Sequence, residues 1–536
     1  MTPDPASRTH RLEARRFDVL VIGGGITGCG IARDAALRGL SVALVEKNDF
    51  ASGTSSRSSR LIHGGVRYLE NAQLHLVFEA SAERRRLLRL APHLVHPLAF
   101  TWPVYAGARI PRWKLGAGLT LYDALALFRN VERHHRLGRD RVLEDEPNVR
   151  RDGLRGGARY FDAATNDARL TLANALGAAD AGAVVVNHAE VESLRFDDTG
   201  VIGATVRDTL RPGTAEVNAA VVVNATGPWS NDLRRLDGDS RAAVRGSKGV
   251  HIEVPRDRVG NRGALTLIAP QDGRVFFVLP AEEHAIIGTT DTYTDAGPDE
   301  VRATSDDVAY LLEAANHFFP SANLTTADVV SAWAGIRPLI AAGAATPGGV
   351  SREHAVDVSE HGLISITGGK LTTYRVMARD VMRVVARQLG RRLGRERTAS
   401  VPLPGGDFTS MDRLVASAAR DTGDVALAAH LARTYGTRWT HVWSEIQRPG
   451  GNAPVVAGLP YTLGELRHAV RHEMARTLGD LLVRRTHLAF ETRDHGLEAS
   501  TLISSEVAPL LGWTPSEREL ALADYEREIA RVFSVE

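Results

Sequence analysis

The chain reads as an α/β + α protein of three units: a nucleotide-binding unit on a parallel sheet, an inserted antiparallel sheet and a helical C-terminal domain. Three observations predict this. A glycine-rich turn near the N-terminus joins a short apolar strand to a helix. Short β-patterned runs recur from Gly249. Beyond Pro402-Leu403-Pro404-Gly405-Gly406 the pattern becomes amphipathic helix. At 536 residues the chain also exceeds the roughly 250–300 residues that one hydrophobic core sustains.

Composition narrows the function classes. A hydrophobic share of 43% and a charged share of 24% are those of an ordinary globular protein. Sixty-five basic against 64 acidic residues leave a net charge of +1, so there is no footprint for nucleic acid and any basic site is local. Cys29 is the only cysteine, which excludes an internal disulfide framework or a multi-cysteine metal site within this chain. Flanked by Gly28 and Gly30, it reads as a small packing residue, and the expectation is a reducing compartment. No metal is expected: His472-Glu473 lacks the second histidine of H-E-x-x-H, because position 476 is Arg. No run approaches the roughly 20 apolar residues that span a bilayer, so membrane contact would be peripheral.

Residues 1–16 are polar and arginine-rich and read as a disordered tail. Residues 17–22 (F-D-V-L-V-I) form a buried parallel strand. Gly23, Gly25 and Gly28 then fit G-x-G-x-x-G in the strand–turn–helix context it requires, the signature of a Rossmann-like unit. The helix that follows ends near Gly39, and strand 41–45 closes on Glu46, placed to accept the ribose hydroxyls of an unmodified dinucleotide. Residues 54–69 (T-S-S-R-S-S-R-L-I-H-G-G-V-R-Y-L) add hydroxyls, a histidine and arginines close to the cofactor. Helix is predicted over 74–91, and prolines 92, 97 and 103 break the chain. The apolar, helix-like run 113–128, flanked by Arg109, Arg112, Lys114 and Arg129, suits the core, a subunit contact such as a homodimer, or an interfacial helix on an anionic membrane.

Residues 162–183 read as a turn and helix, and 219–223 as a strand ending in Asn224-Ala225-Thr226-Gly227-Pro228 beneath the nucleotide. The runs V-H-I-E-V, A-L-T-L-I, R-V-F-F-V-L-P and H-A-I-I-G-T-T make the antiparallel sheet. Strand 363–367 leads into Gly368-Gly369-Lys370-Leu371-Thr372-Thr373-Tyr374, which opens a helix. The resulting boundaries are a tail over 1–16, a discontinuous nucleotide-binding domain over 17–240 and 350–398 with a helical insertion at about 72–150, an antiparallel substrate domain over 241–349 and a helical domain over 399–536.

The helix entry at Gly368–Thr373 suits a flavin better than a nicotinamide, because a helix N-terminus at the N1/O2 edge stabilises the charge that develops on reduction. The segments 22–30, 54–69, D-A-R-L (167–170), N-A-T-G-P-W (224–229), G-S-K-G-V-H (246–251), I-I-G-T-T-D (286–291), G-I-R-P-L (335–339) and G-G-K-L-T-T-Y (368–374) occur in that order. In them the chain resembles the FAD-dependent, aerobic-type glycerol-3-phosphate dehydrogenases, within the amino-acid-oxidase-like flavoproteins. The resemblance implies noncovalent FAD, sn-glycerol 3-phosphate as substrate, membrane quinone as acceptor and a cytoplasmic protein peripheral to the inner face of the cell membrane. It implies a cofactor site of Gly23, Gly25, Gly28, Glu46, Thr54, Ser55, Ser59, Arg60, His63, Gly227, Gly369, Lys370, Leu371 and Thr372.

The residue chemistry agrees with a phosphorylated alcohol. A phosphate dianion needs cations with several donors, and Arg67, Arg337 and Lys370 would have to converge from three distant segments. Tyr68, Thr372 and Thr373 are candidate hydrogen-bond partners of the substrate. Hydride loss from C2 requires the C2 hydroxyl to lose a proton. Histidine is the natural base. His63 is favoured as base, with Arg67 nearby to keep it neutral, and His251 as a donor in the substrate pocket. The catalytic set is therefore His63, Arg67, Arg337 and Lys370. A covalent flavin link at His63, found in some relatives, is not implied. A glycerol-3-phosphate oxidase, an amine or amino-acid oxidase, and an assembly or sensor protein with structural FAD remain alternatives.

Overall fold

The computed structural model describes residues 9–66, 73–128, 130–241, 243–340 and 353–536. Phe17–Ile22 lies at the centre of a parallel array, between Thr214–Asn224 and Val42–Val45. Ile364–Gly368 and Val184–Val186 continue it on either side. Side chains alternate across a strand, and here both faces are covered, which explains the unbroken apolar run of the first strand. Val19 and Val21 pack with helices Ile26–Leu37, Asp167–Asp180 and Tyr374–Gln388, whereas Leu20 and Ile22 face Val206, Val217 and Val222. Cys29 is fully buried, and its thiol donates to the carbonyl of Gly24 at 3.3 Å.

Part of the expected tail is ordered. His10–Glu13 forms a helical turn whose Leu12 is buried against the sheet, because one apolar side chain anchors an otherwise polar segment. Residues 1–8 lie outside the described residues.

Among the described residues the second sheet has ten strands, and it reaches beyond 241–349. Its order runs Thr292–Tyr293, Val244–Pro255, His284–Gly288, Val275–Ala281, Ala264–Ile268, Val95–Tyr105, Leu154–Thr165, Leu61–Ile62. Ser331–Ile340 pairs with Val244–Pro255, and His135–Leu137 with Leu154–Thr165. The insertion expected to be helical over about 72–150 holds helices Leu74–Leu90, Arg112–Leu125 and Arg139–Asp145, and it also contributes the long strand Val95–Tyr105. Pro97 and Pro103 signalled a break. They are tolerated because the strand on the other side, Ala264–Ile268, reaches only Phe100 and Thr101, so few ladder N–H groups are needed there. That contact is parallel and the other pairings of this sheet are antiparallel.

The C-terminal helices share a core with this sheet: Phe490 meets Trp333 edge to face, with centroids 5.1 Å apart. Thr462 and Thr514 open two of these helices with capping boxes, each satisfying N–H groups that the helix itself leaves unpaired. No helix among the described residues is long and apolar enough to cross a membrane.

Candidate active site

The site begins where the central strand ends. Gly23 has φ +110°, and a Cβ there would meet the carbonyl oxygen of Ala225 at 2.6 Å. A Cβ at Gly28 would meet the carbonyl oxygen of Gly23 at 1.9 Å, so helix and strand pack this closely only without side chains. Glu46 follows strand Val42–Val45 and accepts from the Gly24 N–H at 2.6 Å and the Asn48 N–H at 2.9 Å. Burial raises its carboxyl pKa and these two bonds oppose the rise.

The hydroxyl-rich run does more than cover the cofactor. Thr54 donates to the carbonyl of Ile336 at 2.6 Å. Ser55 accepts from the N–H of Ile26 at 3.0 Å, and Ser58 donates to Asp167 at 2.6 Å. Ser59 shares a 2.8 Å hydrogen bond with His251 Nε2. The loop is therefore fastened to the glycine turn, the second sheet and a neighbouring helix. The segment after it meets the distant Gly368–Thr373 turn: the N–H of His63 donates to Thr372 Oγ1 at 3.2 Å, and the Thr372 hydroxyl donates to the carbonyl of His63 at 3.3 Å.

These pieces enclose a cavity of about 810 Å³. Gly23, Gly25, Glu46, Thr54, Ser55, Ser59, His63, Gly227, Gly369, Lys370, Leu371, Thr372, His251 and Arg337 all line it. Arg67 and Tyr68 lie outside the described residues. Gly28 acts behind the wall, through packing. Thr373 is buried and is not among the residues that line the cavity; its backbone N–H closes the turn onto the Lys370 carbonyl at 3.2 Å. The Arg60 side chain is not among those that line the cavity. Arg60 has φ +54°, and its guanidinium lies over the Trp333 and Phe490 rings, 4.0 Å from Glu253, rather than in the cavity wall.

Arg337 carries a partner that the sequence did not reveal. It donates to Asp291 at 3.1 Å and to Thr289 Oγ1 at 2.9 Å, and Ser247 donates to the same Asp291. Gly249 makes the room, since a Cβ there would meet the guanidinium at 2.3 Å. His251 is buried and stacked on Trp333, with centroids 5.5 Å apart. Burial, then Arg337 and Arg60, push its pKa down to about 3, so it is neutral. Arg57 was also missed: it is buried, lines the cavity, and burial pushes its pKa down to about 10. Asp291 and Gly249 fall inside or beside segments with recognisable patterns, but nothing local marks either as a partner of Arg337.

Comparison with known proteins decides the family. A family model described as "FAD dependent oxidoreductase" matches residues 18–375, and one described as "C-terminal domain of alpha-glycerophosphate oxidase" matches 396–518. The chain is 40% identical over 533 residues to glycerol-3-phosphate dehydrogenase 2 of Mycobacterium tuberculosis, covering 97% of this chain and 90% of that one. It is 34% identical to the aerobic glycerol-3-phosphate dehydrogenase of Staphylococcus haemolyticus, covering 95% and 93%. It also superposes on the crystal structure of the glycerol-3-phosphate dehydrogenase of Bacillus halodurans complexed with FAD. The TM-score is 0.82 at 34% identity, covering 98% of this chain and 97% of that one.

The chain belongs to the FAD-dependent glycerol-3-phosphate dehydrogenase family. As a family member it is an FAD-dependent oxidoreductase, and its own residues fit that cofactor. The cavity joins the Gly23–Gly28 turn and Glu46, which suit a pyrophosphate and a ribose, to the Gly369–Thr372 turn, which suits a flavin edge. Its volume lies in the range of cofactor pockets, roughly 300–1,000 Å³.

Proposed function

We propose that this protein oxidises sn-glycerol 3-phosphate to dihydroxyacetone phosphate and passes the electrons to a membrane quinone. The observation that carries this reading is the shared wall of one cavity formed by Arg337, Lys370 and His63, side chains from three remote segments. Arg337 offers a planar fork and Lys370 a compact charge, a pair suited to a phosphate dianion. Asp291 holds Arg337 in place and sets its orientation, which makes the fork a preorganised clamp.

FAD, when bound, would supply the two-electron acceptor for the hydride that C2 loses, held by Gly23, Gly25, Glu46 and the Gly369–Thr372 turn. The chain's residues manage the proton. His63 accepts the C2 hydroxyl proton. His251 is less suited to that role, because it is buried and its Nε2 is engaged with Ser59. It serves as a neutral polar wall group. A substrate carboxylate in place of phosphate, as in an amino-acid oxidase, would use Arg337 but carries one negative charge, so it accounts less well for the second cation, Lys370, than a phosphate dianion does.

The membrane contact we propose is helix Arg112–Leu125. Leu115, Leu119 and Tyr122 face the core, whereas Trp113 is 72% exposed and Leu121 41%, followed by exposed Leu127 and Phe128. Exposed Arg109, Lys114 and this apolar edge together suit an anionic inner leaflet. The deciding experiment is anaerobic addition of glycerol 3-phosphate to the holoenzyme. The flavin absorbance should bleach and return faster with a quinone analogue than with oxygen. Failure to bleach refutes the substrate, and faster recovery with oxygen refutes the acceptor.

A further inference from the structure

Two loops frame the dinucleotide side of the cavity, and both are tied to the C-terminal helical domain by one continuous chain of buried charges. Asp49 lies three residues beyond Glu46 and is fully buried. It accepts from Arg484 Nε at 2.8 Å, from Arg485 Nη1 at 2.5 Å and Nη2 at 3.0 Å, and from Asn187 at 2.9 Å. Arg485 also donates to the carbonyl of Glu473, at 2.8 Å from Nη2. The Glu473 carboxylate takes both arms of Arg169, each at 2.7 Å. Arg169 sits in the first turn of helix Asp167–Asp180, whose Asp167 holds the hydroxyl and N–H of Ser58. The path runs from the 54–59 loop through this helix to the C-terminal domain and back to the 46–52 loop.

We propose that the C-terminal helical domain is a clamp on bound FAD, acting through Arg169–Glu473 and Arg484/Arg485–Asp49 as positioning pairs. Geometry argues for position over bulk stability. Buried ion pairs repay little of their desolvation, but bidentate arginine–carboxylate contacts fix distance and direction. Burial opposes ionisation of Glu473, yet Arg169 beside it brings its carboxyl down to about 2, so the pair is charged at neutral pH. The Asp49, His188 and Asp480 side chains lie within 4.8 Å of one another, a spacing that a cation would also suit. Here Arg484 bonds both carboxylates, at 2.8 Å and 2.9 Å, and Arg485 bonds Asp49, so guanidiniums already meet the two acids where a cation would.

The surface pair Arg438–Asp180 bridges the same two units outside this path and is a built-in control. The test follows FAD release from diluted holoenzyme by its fluorescence, with thermal midpoints of holo and apo forms. Glu473→Gln and the milder Arg485→Lys should speed release at least about tenfold, equivalent to ~1.4 kcal/mol, and lower the holo midpoint more than the apo midpoint. Arg438→Ala should change neither. Equal falls of both midpoints, with release within twofold of the parent, would overturn the proposal. So would accelerated release in Arg438→Ala. Should Glu473→Gln fail to fold, Arg485→Lys decides by the same two readouts.

Discussion

Truncating Arg337 to alanine removes a guanidinium that bonds Asp291 and Thr289 and is 26% exposed on its side chain. Two charge-assisted bonds to a phosphate, taken at the lower end of about 1.5 kcal/mol each because Asp291 already shares the charge, amount to roughly 3 kcal/mol. That corresponds to a loss of about 150-fold in kcat/KM for glycerol 3-phosphate, carried mainly by KM if the clamp binds ground and transition states alike. Flavin content should hold, since Arg337 bonds Thr289, Thr290 and Asp291 rather than the glycine turn. Stability should fall by about 1–3 kcal/mol, because the buried Asp291 loses a charged donor. Arg337→Lys keeps the charge but loses the fork, and should retain more activity than alanine. Steady-state kinetics with a dye acceptor, flavin-to-protein absorbance ratios and urea titrations measure the three quantities in turn. A kcat/KM within twofold of the parent, at full flavin occupancy, refutes the phosphate clamp.

Three further outcomes are expected. His63→Gln should lower kcat by about 10²–10⁴ with flavin retained, while His251→Asn should cost less; the reverse order in stopped-flow bleaching would exchange their roles. Glu253 is buried, with its carboxylate 4.0 Å from Arg60 and 3.7 Å from His284, and burial pushes its pKa up to about 8 despite the opposing effect of Arg60. The native state therefore holds a proton that the unfolded chain releases above about pH 4.3. That stabilisation is full below this pH and is lost as pH rises through 8, at up to about 1.4 kcal/mol per pH unit. Glu253→Gln should flatten this slope in urea titrations between pH 6 and 8, and an unchanged slope would rule the carboxyl out. Trp113→Glu with Leu121→Glu should abolish co-sedimentation with anionic liposomes while leaving dye-linked turnover intact; equal binding removes that helix as the docking surface.

The strand–turn–helix at 17–37 and Glu46 were legible because everything that defines them is local: apolar runs, glycines at close spacing and an acid about 20 residues on. The three-unit architecture followed from a change of period, from buried parallel strands to short antiparallel ones to helices. Prolines misled at Val95–Tyr105, since a proline says only that its own N–H is missing, and the neighbouring strand decides whether that matters. The place of the Arg60 side chain was not legible for a related reason. Its place in a serine-rich motif suggested the cofactor, and nothing local announced the aromatic rings and the acid, more than 190 residues away, beside which its guanidinium lies.

Sequence alone therefore determined which cofactor chemistry the chain supports and which side chains are available for it. Tertiary structure decided which of them meet. The pairings Arg337–Asp291, Ser59–His251, His63–Thr372 and Arg169–Glu473 join residues between 46 and 309 positions apart. A contact at that separation leaves no periodicity in the chain. It exists only because sheet register and domain packing bring the two groups into a low-dielectric interior, where each needs the other.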